Sequence, residues 1–205
     1  MTTNKRMVYL LDDDHRIRES VGALLSAAGY EVGLFAEPTR FMEYERPDIP
    51  SCLVLDLNLG ETTGLDLQKK LTGESALPIV FVTGFGDIAT TVKAMRAGAS
   101  EFLLKPIEEE ELLRAINVAM RQAEAQWAIR QANRQLRANY EHLTPREREV
   151  FPYIVSGFLN KQTAYELGTS EITIRIHRGR IMRKMKADSL ADLVRMASRI
   201  GVLPD

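Results

Sequence analysis

Five short apolar runs organise the first half of the chain: Met7–Leu11 (MVYLL), Glu31–Phe35 (EVGLF), Cys52–Leu55 (CLVL), Ile79–Val82 (IVFV) and Glu101–Leu104 (EFLL). They are too short for ordinary helices and nearly continuous in apolar character, as strands buried on both faces must be. Helical patterns separate them. "RIRESVGALLSAAG" puts Ile17, Val21, Leu24, Leu25 and Ala28 on one face and stops at Gly29. "GLDLQKKL" and "DIATTVKAMRAG" behave alike, the second ending at Gly98. Alternation of this kind predicts a parallel sheet covered on both faces. Five such units in about 120 residues match an α/β, doubly wound, flavodoxin-like (βα)5 domain.

The residues that end these runs carry the chemistry. The first run ends in Asp12-Asp13-Asp14, the third in Asp56, the fourth in Thr83 and the fifth in Lys105. Ligands of open parallel sheets bind beyond the carboxyl ends of the strands. Asp14 reads as a helix cap. Asp12, Asp13 and Asp56 should therefore converge with a hydroxyl and an ammonium. Carboxylates held that close need raised pKa values or a bound cation. Hard oxygen ligands with room for water suit Mg²⁺. Thr83 and Lys105 would hold the oxygens of a phosphoryl group, and an aspartate can be the nucleophile that accepts it. A lone aspartate at a strand end is more often a cap or a solvated loop acid. Four complementary strand ends in one domain are not explained that way.

The pattern "LLDDD…CLVLDLNLG…IVFVTGFGD…AMRAGASEFLLKPI" resembles a response-regulator receiver domain over residues 1–120. The resemblance implies that Asp56 is the phosphoacceptor and that Asp12, Asp13 and Asp56 bind Mg²⁺ with the backbone carbonyl of Asn58. It implies that Thr83 and Lys105 contact the phosphoryl group, that Phe102 is a rotamer switch beside Thr83, and that Lys105–Pro106 is cis. Phe102 also fits plain strand alternation into a core. Leu59 and Gly60 stand where the family often has Met-Pro, and Gly84 follows the threonine. These departures leave phosphoryl lifetime open.

From Ile107 to about Tyr140 there is neither Gly nor Pro, so the fifth helix of the domain should extend into a long linker helix, with acids favouring its start. The spacing of Ile116, Met120, Ala123 and Trp127 fits either partner packing in a coiled coil or a mostly solvated helix. "HLTPREREVF" begins a new unit. Thr144 is the cap, Pro145 suits the first helical position and Glu147 completes a capping box. Three or four short helices follow, broken near Gly157, Gly168–Ser170 and Asp188–Ser189. The expected domains are 1–120, a linker helix over 121–141, and 142–205.

"NKQTAYELGTSEITIRIHRGRIMRKM" reads as helix, turn, helix, with Ser170 capping the second helix. Ile174, Ile181 and Met185 form a core face. Arg175, Ile176, Gly179, Arg180, Arg183 and Lys186 lie on the other. In a major groove Ile176 could touch a thymine methyl and Arg175 a guanine edge, with Lys161 and the remaining basic groups on phosphates. A merely exposed charged helix is the bland alternative. The segment resembles a LuxR-type helix-turn-helix, most similar to FixJ/TodT/StyR-like regulators. The resemblance implies that Arg175, Ile176 and Gly179 face the groove and that Lys161, Thr173 and Arg178 face phosphates. His177 on the flank would orient the helix. "DSLADLVRMASRI" would be a dimerisation helix. Pro152 should kink the first helix, and Thr163 replaces a usual aliphatic.

Charge agrees with two parts. Residues 144–205 hold 11 Lys+Arg and 7 Asp+Glu, whereas residues 1–143 hold 16 and 21. A single cysteine, Cys52, excludes an internal disulfide framework and a cysteine-rich zinc site, and reads as core. No run approaches the roughly 20 apolar residues of a membrane span, and the first residues lack a signal-peptide pattern. The expectation is a cytoplasmic, phosphorylation-dependent transcriptional regulator, not an enzyme. Its partners would be a sensor histidine kinase, promoter DNA, a second copy of itself once phosphorylated, and RNA polymerase. Two rivals remain. A haloacid-dehalogenase-type phosphatase would need an acid where Asn58 stands. The other is a phosphorylation-independent scaffold.

Overall fold

The computed structural model describes residues 5–60, 62–71, 77–84 and 88–202. Two compact units emerge, Met1–Ala128 and Ile129–Asp205. In the first, β1 (Met7–Leu11), β2 (Glu31–Phe35), β3 (Ser51–Asp56), β6 (Ile79–Thr83) and β7 (Glu101–Leu104) form one parallel sheet in the order β2-β1-β3-β6-β7. All five strands fall on the apolar runs. Alternation along them divides the core in two. Val8, Leu10, Cys52, Val54, Val80 and Val82 face one side, where α1 (His15–Ala27) and α5 (Glu109–Glu141) pack. Tyr9, Leu11, Leu53, Leu55 and Phe81 face the other, with Phe41 of α2 (Pro38–Glu43), Leu67 of α3 (Gly64–Lys70) and Ala94 of α4 (Ile88–Arg96). The start of the α4 pattern at Asp87 lies outside the described residues.

Cys52 is fully buried, and burial pushes its thiol up to about 12, so it is an inert core residue. Two elements have no counterpart in the sequence reading: α2, and the antiparallel pair β4 (Asn58–Leu59) with β5 (Thr62–Thr63).

The long helix α5 is neither a coiled-coil seam nor a solvated rod at its start. Leu112, Ala115, Ile116, Ala119, Met120 and Ala123 are buried in the core of the first unit. Trp127 follows, its indole N–H donating to the Asp48 carbonyl at 3.0 Å. Farther along, Leu136 is buried in the core of the second unit. The spacing of Ile116, Met120 and Ala123 is thus spent on the sheet itself.

The second unit adds α6 (Pro145–Val155), α7 (Asn160–Glu166), α8 (Glu171–Met185) and α9 (Leu190–Ile200). The capping box at Thr144 and Glu147 is present, and Pro152 sits inside α6. The core gathers Val150, Phe151, Ile154, Ile174, Ile181, Met185, Leu193 and Ala197. Thr163 is buried there without a stranded hydroxyl, because Oγ1 donates to the Leu159 carbonyl at 3.2 Å.

Candidate functional site

The sheet order places the first site. The chain leaves β1 for β2 on one side and returns to β3 on the other, so the switch point lies between β1 and β3. Leu11 pairs with Leu55. The next residues, Asp12 and Asp56, therefore leave the sheet side by side. Thr83 pairs with Leu104, and Lys105 follows, its N–H donating to the Thr83 carbonyl at 2.8 Å.

The side chains converge as this register demands. Lys105 Nζ donates to Asp12 Oδ2 and to Asp56 Oδ2, each at 2.7 Å. The other oxygen of each carboxylate accepts a backbone N–H two residues on: Asp14 N to Asp12 Oδ1 at 2.9 Å, Asn58 N to Asp56 Oδ1 at 3.1 Å. Both aspartates are buried, and Asp13 beside them is exposed. Burial opposes the charge on Lys105, but the hydrogen bonds it donates to Asp12 and Asp56 outweigh it and hold its pKa above the ordinary lysine value. Thr83 is fully buried. Phe102 is half-buried against the same core, its ring 6.3 Å from that of Phe81. The Lys105–Pro106 bond is cis.

Carboxylate oxygens of Asp12, Asp13 and Asp56 all lie within 4.8 Å of one another. One ammonium does not neutralise three carboxylates, and an all-oxygen donor set open on the Asp13 side suits a hard divalent cation. The three could hold a metal ion.

Two supports were not read from the sequence. Arg18 Nη1 donates to the Asp12 carbonyl at 2.7 Å and fixes the loop after β1. An arginine in a first helical turn looks like any solvated cation. Gly64 lies so close under Asp56 that an added Cβ would stand 2.5 Å from the Asp56 carbonyl oxygen. Asp14 caps α1, accepting from Arg16 N at 2.8 Å.

In the second unit, α7 and α8 form the helix-turn-helix pair. Ser170 caps α8, its Oγ accepting from Thr173 N at 3.1 Å. Ile174, Ile181 and Met185 are buried, whereas Arg175, Ile176, Gly179, Arg180, Arg183 and Lys161 are exposed. Thr173, His177 and Arg178 lie half-buried on the flanks. The Thr173 hydroxyl is within 2.8 Å of Ser170 Oγ. Nδ1 of His177 is buried with no hydrogen-bond partner among the described residues. No atom lies near the place a Gly179 Cβ would occupy. Lys184 ties α8 to the start of the unit: Nζ donates to Glu147 Oε2 at 2.6 Å and to the His142 carbonyl at 3.1 Å. Ile172, 69% exposed in the first turn of α8, was not among the residues singled out from sequence.

Residues 8–117 match the family model for the response regulator receiver domain, and residues 141–197 match that for bacterial regulatory proteins of the luxR family. The chain is a response regulator. Its receiver makes a sensor kinase its partner, and its luxR-family domain makes it a DNA-binding transcriptional regulator rather than an enzyme, which removes the phosphatase reading. This response regulator is 42% identical over 202 residues to the response regulator protein TodT of Pseudomonas putida, covering 98% of this chain and 88% of that protein. It is 37% identical over 204 residues to the transcriptional regulatory protein FixJ of Bradyrhizobium diazoefficiens, covering 99% and 100%. The solved structure of the response regulator StyR matches with a TM-score of 0.78 at 42% identity, covering 95% of this chain and 99% of that one. No helix among the described residues is long and apolar enough to cross a membrane.

Proposed function

We propose that Asp56 is the residue this response regulator uses to accept a phosphoryl group, and that acceptance controls binding to promoter DNA. The observation that carries the reading is the bridge of Lys105 between Asp12 and Asp56, at 2.7 Å to each. It holds one Asp56 oxygen at the open end of the sheet, with an ammonium already beside it. That oxygen attacks phosphorus. The bond from phosphorus to the imidazole nitrogen of the kinase phosphohistidine, or to the acetate oxygen of acetyl phosphate, breaks, and the leaving group takes the electron pair.

Lys105 stays within reach of the transferred oxygens and offsets their charge. Asp12, Asp13, Asp56 and the Asn58 carbonyl would hold Mg²⁺. When bound, the ion would supply further neutralisation of the phosphoryl oxygens. The Thr83 hydroxyl then turns toward the new oxygens, and Phe102 follows into the space it leaves. A local change in charge thus biases a two-state element.

Lys161, Thr173, Arg178, Arg180 and Arg183 meet phosphates in this reading. Arg175 and Ile176 face base edges, with Gly179 beside them, and His177 orients the helix. Pairing of two phosphorylated copies would set two recognition helices one DNA turn apart. RNA polymerase is the downstream partner and the cytoplasm the compartment. We assign residues 1–120 to the receiver, 142–205 to the DNA-binding domain and 121–141 to a linker stretch of α5, whose Ala123 packs in the first core and whose Leu136 packs in the second.

Intact mass after incubation with Mg²⁺ and acetyl phosphate tests the chemistry. One phosphoryl adduct is expected on the native chain, and none on Asp56→Asn or without Mg²⁺. An adduct that persists on Asp56→Asn would sink the assignment. DNA affinity and oligomeric state, compared between the two mass states, test the coupling.

A further inference from the structure

The exposed face of α8 carries an apolar residue that no role yet accounts for. At about 100° per residue, Ile172, Ile176, Gly179 and Arg183 fall within about 60° of one another. The buried Ile181 and Ile174 lie on the opposite side. Arg175 sits about 70° off the centre of the exposed strip by the same geometry. Ile172 is 69% exposed and Ile176 50% exposed. Two β-branched aliphatic side chains one turn apart thus occupy the middle of a face that is otherwise basic or bare. Arg175 is drawn aside toward Glu171, Nη2 to Oε1 at 3.5 Å.

A helix-turn-helix enters the major groove with the N-terminal residues of its second helix against base edges. Ile172 is the second residue of α8. The apolar feature of that groove is the C5-methyl group of thymine. Residues four apart are separated by about 6 Å along the helix, which spans about two base steps at 3.4 Å each. We propose that Ile172 is a specificity-determining residue: with Ile176 it forms one aliphatic strip that seats the methyl groups of neighbouring thymines, beside the base read by Arg175. This rests on the reading of α8 as the groove-facing helix. The preferred half-site then holds thymines at two close positions, the outer one assigned to Ile172. Gly179 continues the strip without a side chain, so the base pair beyond it is read weakly.

Selection of full-length, phosphorylated protein on a random double-stranded library gives the site preference. Affinities are then measured on the selected site and on copies in which each thymine is replaced by uracil, which lacks only the methyl group. Native protein should lose roughly fourfold in affinity per methyl removed, the value of burying one methyl-sized group. Ile172→Ala should remove the penalty at one thymine only, and Ile176→Ala at the other. Ile172→Val should retain most of it. Because Ile172 is exposed, Ile172→Ala should leave the helical circular-dichroism signal intact.

An unchanged uracil penalty in Ile172→Ala, with Arg175→Ala altering the selected site, would overturn the role of Ile172 while leaving α8 in the groove. An unchanged selected site in both variants would overturn the groove reading as well. Native affinity for DNA combined with lost transcription by RNA polymerase in Ile172→Ala would assign the strip to a protein partner and equally overturn the proposal.

Discussion

Single atoms decide the setting of Asp56 and the pH response of the second unit. Gly64 is the most exacting position. A methyl group there would press on the Asp56 carbonyl from 2.5 Å and on the Phe81 ring from 3.0 Å. Gly64→Ala should destabilise the first unit by roughly 1–3 kcal/mol and slow phosphoryl uptake by moving the Asp56 main chain. Urea unfolding followed by Trp127 fluorescence, and the rate of adduct formation from acetyl phosphate, check the two effects. Glu147 sets the acid limit. Burial would raise its pKa, but hydrogen bonds from Lys184 and from Thr144 overcome this and lower it below the ordinary 4.5. A depressed folded-state pKa adds stability above the unfolded value, and that stability is lost as pH falls through the folded one. The second unit should therefore weaken below about pH 4.5, and Glu147→Gln should flatten that slope. Thermal melts across pH 3 to 7, followed by resolved amide signals of α6 and α8, check it. Residues of this kind differ in how they read from sequence. Asp12, Asp56, Thr83 and Lys105 were legible because each ends an apolar run. Gly64, Arg18 and Ile172 were not, because what matters about each is a contact, or the lack of one, that only the folded backbone defines.

At the level of elements, α5 and α8 carry the consequences. The indole of Trp127 anchors α5 one turn beyond Ala123, the last residue it buries in the core of the first unit. Trp127→Phe should keep the packing, lose one hydrogen bond, and weaken the first unit by about 1 kcal/mol. Amide exchange of residues 124–128 should rise with it. In α8, Gly179 has open space around the missing Cβ. Gly179→Ala should raise the stability of the second unit by up to about 1 kcal/mol, the helix-propensity difference, as read by denaturant titration. The five strands and most helices were readable because periodicity reports them over many residues. The β4–β5 pair has two residues a side, too few for any period. The α5 pattern misled because a heptad-like spacing reads the same against a partner helix or against the chain's own sheet.

Over the whole molecule, each unit has a core of its own. Ligands that bind one folded unit stabilise that unit by mass action. Calorimetry should show Mg²⁺ raising the unfolding temperature of the first unit while leaving the second unmoved, and Asp13→Asn should blunt the rise. Separate cores also bear on how such a protein can change over generations. A copy of the gene that acquires a side chain at Gly179 meets no steric resistance there, and its receiver core is untouched. On the proposed placement of Gly179 against the groove, the address on DNA can drift by one substitution there while the input stays faithful to its kinase.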